Sequence, residues 1–414
     1  MKWIPAGVLC PFFALPSSGE VFFLIFDGGE GMVEFDKVKK IGAFAEQSPL
    51  EGFEDVFSRF NKNEYVMFPG FCDVHVHFRE PGFSYKETVS TGAAAAASAG
   101  YTAVCTMPNL NPVPDSIDHL QPQLDRIAEA PIAVLPYGSI TVGEKGRELS
   151  DLEGLAPHVV AFSDDGIGVA DDGLMREAMQ RCKALGKLIA GHCEDMRYED
   201  PREREWREIE RNLRLAEETG CAFHVCHIST KESVELIRDA RRSGIDVSCE
   251  TAPHYLLLNT ALIDDDGRFK MNPPIHRAED QGALLEALTD GTIDMIATDH
   301  APHSSEEKSR GFDKSLNGIV GLETAFPALY TGLVSEGIVS LEKLVELMST
   351  SPASRFGIPL SGDFAIWDLD HDYTIDPTQF RSKGRSTPFE GWPVLGRCLL
   401  TVHGGRAIFV LEDN

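Results

Sequence analysis

From about residue 66 onward the chain alternates short apolar runs with helix-like segments, and this rhythm limits its possible folds more than any other feature. Parallel strands cannot be joined by tight turns. Each needs a crossover, usually a helix, so the alternation signals βαβ units. Eight apolar runs are visible, at 65–78, 101–107, 131–138, 158–163, 187–192, 221–227, 245–251 and 292–298. Helical segments are expected at 172–185, 200–219, 231–242 and 279–288. After the first run, Ser84 with Glu87 three residues later reads as a capping box, the alanine-rich stretch through Ala99 favours helix, and Gly100 is placed to end it. Eight such units over roughly 280 residues match a (β/α)8 TIM barrel, with a doubly wound open sheet as the alternative. The flanks, 1–64 and 358–414, are each short for a core of their own, and both carry alternating segments such as GEVFFLIFD and GDFAIWDLD. The expected architecture is α/β, with a barrel over 65–357 and one small β-sandwich domain formed from both termini.

Charge narrows the function. The 414 residues include 38 Lys plus Arg against 65 Asp plus Glu, a net charge of −27 without any basic cluster. Nucleic acid and anionic membrane surfaces are therefore poor partners, and a metabolic enzyme fits better. The nine cysteines are scattered, odd in number and free of any C-x-x-C pair, so they read as buried thiols of a reducing compartment. The opening MKWIPAGVLCPFFALP has one Lys before an apolar stretch, as a secretory signal would, but Pro5 and Pro11 break it. No stretch reaches the ~18 apolar residues that a membrane span needs. A cytoplasmic location is expected.

The chemistry concentrates at the ends of the apolar runs. In DVHVHFREPG the strand period of two puts Asp73, His75, His77 and Arg79 on one face, and Val74, Val76 and Phe78 on the other. Two histidines at i and i+2, at the C-terminal end of a barrel strand, can chelate one metal ion. A polar stripe of this length is costly to bury without such a use. Further ligand-type residues end other runs: Asp164 and Asp165, His192, His227, and Asp299 with His300 and His303. Any one of them alone could be a cap or a turn residue. Together they suit a pair of divalent ions bridged by a carboxylate, zinc first, with cobalt or manganese able to use the same donors. Neither a phosphate-cradling glycine loop nor a serine-hydrolase elbow occurs.

The segments DVHVHFREPG, TMPNLNPVPD, FSDDG, AGHCED, HVCHIST, KMNPP, ATDHAPH and GIVGLETAFP, in this order, resemble the dihydroorotases of the amidohydrolase superfamily. The likeness is closest to the bacterial form, in which an aspartate bridges the metals. It implies that His75 and His77 bind the first metal with Asp299, that His192 and His227 bind the second, and that Asp165 rather than Asp164 bridges the two. It further implies a metal-bridged hydroxide, with Asp299 as the catalytic proton carrier. Arg79, Asn109 and His303 resemble the residues that hold a substrate carboxylate, His77 also faces the substrate, and Asn272 resembles a ring-amide contact. The backbone at Asn317 and Gly318 matches a remaining contact.

The implied reaction is the reversible cyclisation of N-carbamoyl-L-aspartate to L-dihydroorotate in pyrimidine synthesis. The Arg79 guanidinium suits it, because a neutral hydantoin would leave that fork unpaired. Aspartate carbamoyltransferase and a second copy of the chain are the implied protein partners. Two other readings stand beside this one. The first is another cyclic amidase, an allantoinase or a hydantoinase/dihydropyrimidinase, the latter group bridging its metals with a carbamoylated lysine. The second is a non-catalytic partner of aspartate carbamoyltransferase, a type that typically lacks some ligands. The polar stretch 303–318 reads as a mobile lid, an ordinary solvated loop being the alternative.

Overall fold

The computed structural model describes residues 21–26, 33–39, 65–360 and 362–412. Two strands near the start, β1 (Val21–Phe26) and β2 (Val33–Lys39), pair antiparallel. The rest of the expected N-terminal contribution to the sandwich lies outside the described residues, as does Cys10.

The first apolar run, read above as one strand over 65–78, is two strands that serve different sheets. β3 (Val66–Pro69) pairs antiparallel with β13 (Phe364–Thr374), whereas β4 (Phe71–Val76) enters the barrel. The break falls at Gly70, where a Cβ would lie 2.1 Å from the Thr102 hydroxyl oxygen. Its backbone is taken by other segments as well: the N–H donates to the Asp363 carbonyl at 3.1 Å, and the carbonyl accepts from the Ser349 hydroxyl at 2.7 Å.

Eight parallel strands then form a ring. β4 pairs with β5 (Tyr101–Thr106), and β5 with β6 (Ala133–Pro136). The chain passes through Tyr137 into β7 (Gly138–Ser139), which pairs with β8 (Phe162–Ser163). β9 (Ile189–Gly191), β10 (Phe223–Val225), β11 (Val247–Thr251) and β12 (Met295–Ile296) follow in order. A parallel bridge between Val76 and His300 closes the circle, with the His77 N–H donating to the His300 carbonyl at 2.8 Å. Counting β6 and β7 as one bent strand, the ring has the eight members that the alternation called for.

Alternate strand positions sort into two packings. Ala103, Cys105, Met107, Ala190, Cys226, Met295 and Ala297 belong to one buried cluster of mostly small side chains. Their neighbours Val104, Ile189, Val225 and Ile296 join the larger cluster that the helices cover. The eight described cysteines are all buried and unpaired. Burial raises their thiols, Cys226 to about 12 and Cys221 to about 11, so they stay protonated. No helix among the described residues is long and apolar enough to cross a membrane.

Five outer helices match the expected segments, α1 (Val89–Ser98), α3 (Asp172–Ala184), α4 (Pro201–Thr219), α5 (Lys231–Arg242) and α6 (Ala278–Asp290), and a further one, α2 (Ile117–Ile127), was not expected. The start of α1 differs from the sequence reading. Its capping box is Thr88 with Thr91, not Ser84 with Glu87. Glu87 is unavailable for that role because it is fully buried and accepts from the Ser382 hydroxyl and the Lys383 N–H. Gly100 follows the helix at φ +83, where a Cβ would meet the Trp367 ring at 2.8 Å.

The second unit is an antiparallel sheet in the order β15-β14-β13-β3, with β14 (Pro393–His403) and β15 (Arg406–Val410). An aromatic cluster joins it to the barrel. Trp367 of β13 lies 5.8 Å from Phe71 of β4 and 4.4 Å from Phe326, and Phe68 of β3 lies 5.4 Å from Phe326. Trp367→Ala should therefore cost about 3 to 5 kcal/mol, with Trp367→Phe milder. Chemical denaturation checks this, and an alanine variant as stable as the parent would show that the cluster does not anchor the sheet.

Candidate functional site

The run ends converge at one mouth of the ring, as the motif reading expects. His75 is the last but one residue of β4 and His77 lies just beyond it, while Asp165, His192, His227 and Asp299 follow β8, β9, β10 and β12. All six are buried. His75 Nε2 lies 3.4 Å from Asp165 Oδ1 and 3.6 Å from Asp299 Oδ1. His77 Nε2 lies 3.1 Å from Asp299 Oδ1 and 3.5 Å from Asp165 Oδ2. On the other side, His192 Nδ1 lies 2.9 Å from His227 Nε2 and 3.8 Å from Asp165 Oδ1. Asp165 thus stands between two pairs of imidazoles. Its neighbour Asp164 turns away and accepts from the Ile140 N–H at 2.7 Å and the Thr141 N–H at 3.0 Å.

The hydrogen bonds around this cluster decide whether a cation fits. The Glu250 carboxylate accepts from His75 Nδ1 at 2.7 Å, so Nε2 carries the lone pair. The Asn109 amide oxygen likewise accepts from His77 Nδ1 at 2.9 Å, and its Nδ2 donates to Asp165 Oδ2 at 3.1 Å. Each imidazole therefore turns a lone pair toward carboxylate oxygens. That arrangement is repulsive unless a positive charge sits between them. His75 Nε2 and Asp165 Oδ1 are buried without a hydrogen-bond partner, as ligand atoms are. Donors about 2.1 Å from a tetrahedral cation lie roughly 3.4 Å from one another, close to the spacings found here. The residues fit a divalent metal site.

Titration points the same way. Burial opposes charge on His75, yet the carboxylates of Asp165 and Glu250 outweigh it and raise its pKa, so the pocket draws in a positive charge. Burial, with His192 and His75 nearby, pushes His227 down to about 3, which leaves a neutral donor with no proton to displace. Burial also acts to raise Asp299, but the imidazoles of His77, His75 and His227 around it hold it below the usual carboxylate range.

The other expected site residues fall nearby, in roles the sequence did not specify. Arg79 donates through Nε to the Pro302 carbonyl at 3.3 Å. Asn109 is engaged by two ligand side chains. Asn272 Nδ2 donates to Glu194 Oε2 at 2.8 Å and lies 3.3 Å from His192 Nε2. His303 Nε2 lies 2.7 Å from the Asn317 carbonyl, and the Gly318 N–H donates to the Lys270 carbonyl at 3.0 Å. His300 is turned from the ligands, accepting from the Gly321 N–H through Nδ1 at 3.2 Å. The 303–318 stretch forms two short helical turns, Ser305–Lys308 and Gly311–Lys314, held by Lys308, whose ammonium donates to the Lys270 and Leu316 carbonyls.

Sequence reasoning missed Glu250 and its support. Its second oxygen lies 3.0 Å from His224 Nε2, and His224 Nδ1 lies 2.8 Å from the Ser248 hydroxyl. A glutamate inside the strand-like run at 245–251 was the available signal, since a charge in a buried strand needs a partner. Glu205 was also missed. It accepts from the Ser229 and Thr230 N–H groups at 3.0 and 3.1 Å, pinning the turn after His227. A surface cleft of about 620 Å³, lined by residues including Asp294, Lys343 and Arg355, contains none of the six ligand-type residues and shares only Ser248 with the groups that support them.

The chain is similar to several known proteins. Residues 64–202 match the family model described as dihydro-orotase-like. The dihydroorotase of Bacillus cytotoxicus is 44% identical over 402 residues, 90% of this chain and 93% of that protein. The dihydroorotase of Brevibacillus brevis is 46% identical over 373 residues, 82% of this chain and 87% of its own length. Among solved structures, the L-hydantoinase (dihydropyrimidinase) of Arthrobacter aurescens superposes with a TM-score of 0.77 at 27% identity, covering 93% of this chain and 95% of that one. The dihydropyrimidinase of Brevibacillus agri gives 0.75 at 23% identity over 94% of this chain and 95% of its own, a likeness of fold. On the identity and coverage of its sequence relatives, the chain belongs to the dihydroorotase family.

Proposed function

We propose that this chain interconverts L-dihydroorotate and N-carbamoyl-L-aspartate, with two divalent cations, zinc by preference, held by His75, His77, Asp165, His192, His227 and Asp299. The observation that carries the reading is Asp165 standing between two imidazole pairs, with the His75 and His77 lone pairs turned toward it. When bound, such cations lower the pKa of a coordinated water and polarise the scissile amide carbonyl.

The chain's own groups supply the rest. Asp299 is ionised at neutral pH, so its carboxylate can take a proton from the attacking water as the oxygen adds to the ring carbonyl carbon. As the ring C–N bond breaks, the same carboxyl returns that proton to the departing nitrogen. Arg79, with only Nε committed to Pro302, keeps its terminal nitrogens for the substrate carboxylate. Asn109 orients His77 and Asp165 together, and Asn272 lies beside His192 where the ring amide would sit.

Hydantoinase action is the second reading, favoured by the solved structures of similar fold. An aspartate in the bridging place and an arginine at the mouth favour the carboxylated ring instead. A complete donor set also counts against a purely structural role. The same proposal takes residues 65–357 as the catalytic unit, its ring beginning at Phe71, and both termini as the other unit. A cytoplasmic setting, a homodimer and association with aspartate carbamoyltransferase belong to it through the family resemblance alone.

Purified protein should carry two metal ions per chain and turn over dihydroorotate in preference to dihydrouracil or allantoin. Elemental analysis with a substrate panel tests this, and faster hydrolysis of a neutral ring would sink the assignment. Removing the metals with a chelator should abolish turnover, and zinc should restore it. Asp299→Ala should lower kcat by about 10²- to 10⁴-fold, the usual worth of a positioned proton carrier. A fully active variant would refute that role. Arg79→Met should act mainly on KM for dihydroorotate, by the few kcal/mol of a lost charged fork, and leave metal content unchanged.

A further inference from the structure

Beside the ligand cluster, the mouth carries a second cation that the proposed mechanism does not use. Lys86 is only 9% exposed. Its ammonium lies 3.1 Å from His303 Nδ1 and 3.1 Å from Glu307 Oε1, with the Phe83 and Tyr85 rings 5.7 and 5.6 Å away. Glu307 is itself fixed from two sides. It closes a capping box with Ser304, and Oε1 accepts from the Tyr85 hydroxyl at 3.1 Å.

An ammonium group has donors and no acceptor. Lys86 must therefore donate to Nδ1 of His303, which leaves that ring's hydrogen on Nε2. There it donates to the Asn317 carbonyl at 2.7 Å. The lysine on Nδ1 and the Asn317 carbonyl on Nε2 thus agree on one neutral tautomer of His303, and together they fix its orientation. Charge follows from the same placement. Arg79 also feels Asp299 and Asp165, which belong to the ligand cluster, so Glu307 is the carboxylate outside that cluster that faces both Arg79 and Lys86, and the two cations outnumber it. Burying a lysine beside an arginine is costly, and a substrate anion would offset that cost.

We propose that Lys86 is a positioning residue for the substrate carboxylate: it holds His303 as a neutral Nε2–H imidazole and, with Arg79, biases the mouth toward a ring bearing a carboxylate. This rests on the dihydroorotase reading above. The same chemistry predicts that Lys86 matters little for a neutral ring, which offers nothing for the positive field to attract.

Steady-state kinetics of the intact, metal-loaded protein test the inference, with thermal stability and metal content measured alongside. Lys86→Met should raise KM for L-dihydroorotate about 10- to 100-fold with a smaller loss in kcat, weaken inhibition by orotate in proportion, and leave inhibition by uracil within about threefold. Lys86→Arg, which keeps the charge and the donors, should recover most of the lost KM. An unchanged KM in Lys86→Met overturns the inference. So does an equal fall in kcat and kcat/KM with no rescue by arginine, since that is the mark of a structural role. If the methionine variant does not fold, Lys86→Arg carries the test: a KM within about threefold of the parent supports the inference, and a tenfold rise overturns it. A parent protein that binds metal but does not turn over dihydroorotate would overturn the dihydroorotase reading itself, and the inference with it.

Discussion

Everything at the mouth of the barrel depends on one buried contact, the 2.7 Å hydrogen bond between His75 Nδ1 and Glu250. A carboxylate sealed inside a ring of strands is tolerable only when its oxygens are satisfied. Glu250 meets this demand with His75 on one oxygen and His224 on the other, backed by Ser248. Burial alone would raise its pKa, but the hydrogen bonds from the His75 and His224 imidazoles bring it down to about 2, so it stays ionised. With Nδ1 of His75 committed, Nε2 must face Asp165 and Asp299. Histidine ligands are commonly oriented in this way, through their second nitrogen.

Backbone conformation does the remaining aiming. His227, Asp299 and Arg79 all lie just past strand ends in the left-handed region, at φ +34, +47 and +58. Such conformations are strained for residues with a Cβ and persist where the surroundings over-determine them. Here the neighbours do so. The Asp73 carboxylate accepts from the Thr298 N–H at 3.1 Å and from its hydroxyl at 2.6 Å, tying β4 to the segment that presents Asp299. Ile228 N–H donates to the Glu250 carbonyl at 2.9 Å, holding the turn after His227. The ring closure at Val76 and His300 joins the first and last strands, so ligands from opposite ends of the sequence share one pocket.

The ring and its helices were legible because hydrophobic alternation is a local property that tertiary context left intact. α3, α4, α5 and α6 all fall within two residues of the expected spans. Where the reading failed, a distant partner had claimed the residue. Glu87 matches a capping box by spacing, yet it serves segment 382–383 from a buried position. The run at 65–78 looks continuous, yet contacts with Thr102, Ser349 and Asp363 divide it at Gly70. Glu250 and Lys86 carried no motif of their own, because their partners lie far away in the chain.

The sequence by itself determined the α/β rhythm, the inventory of imidazoles and carboxylates at the ends of the apolar runs, and the acidic surface that disfavours nucleic acid. All three follow from residue type and spacing along the chain. Only the tertiary structure decided which nitrogen of His75 and of His77 is free, which of two adjacent aspartates stands between the histidine pairs, and which cation lies beside His303. These depend on hydrogen bonds between residues as much as 217 positions apart, such as Lys86 and His303, and no local pattern encodes contacts made only when the barrel closes.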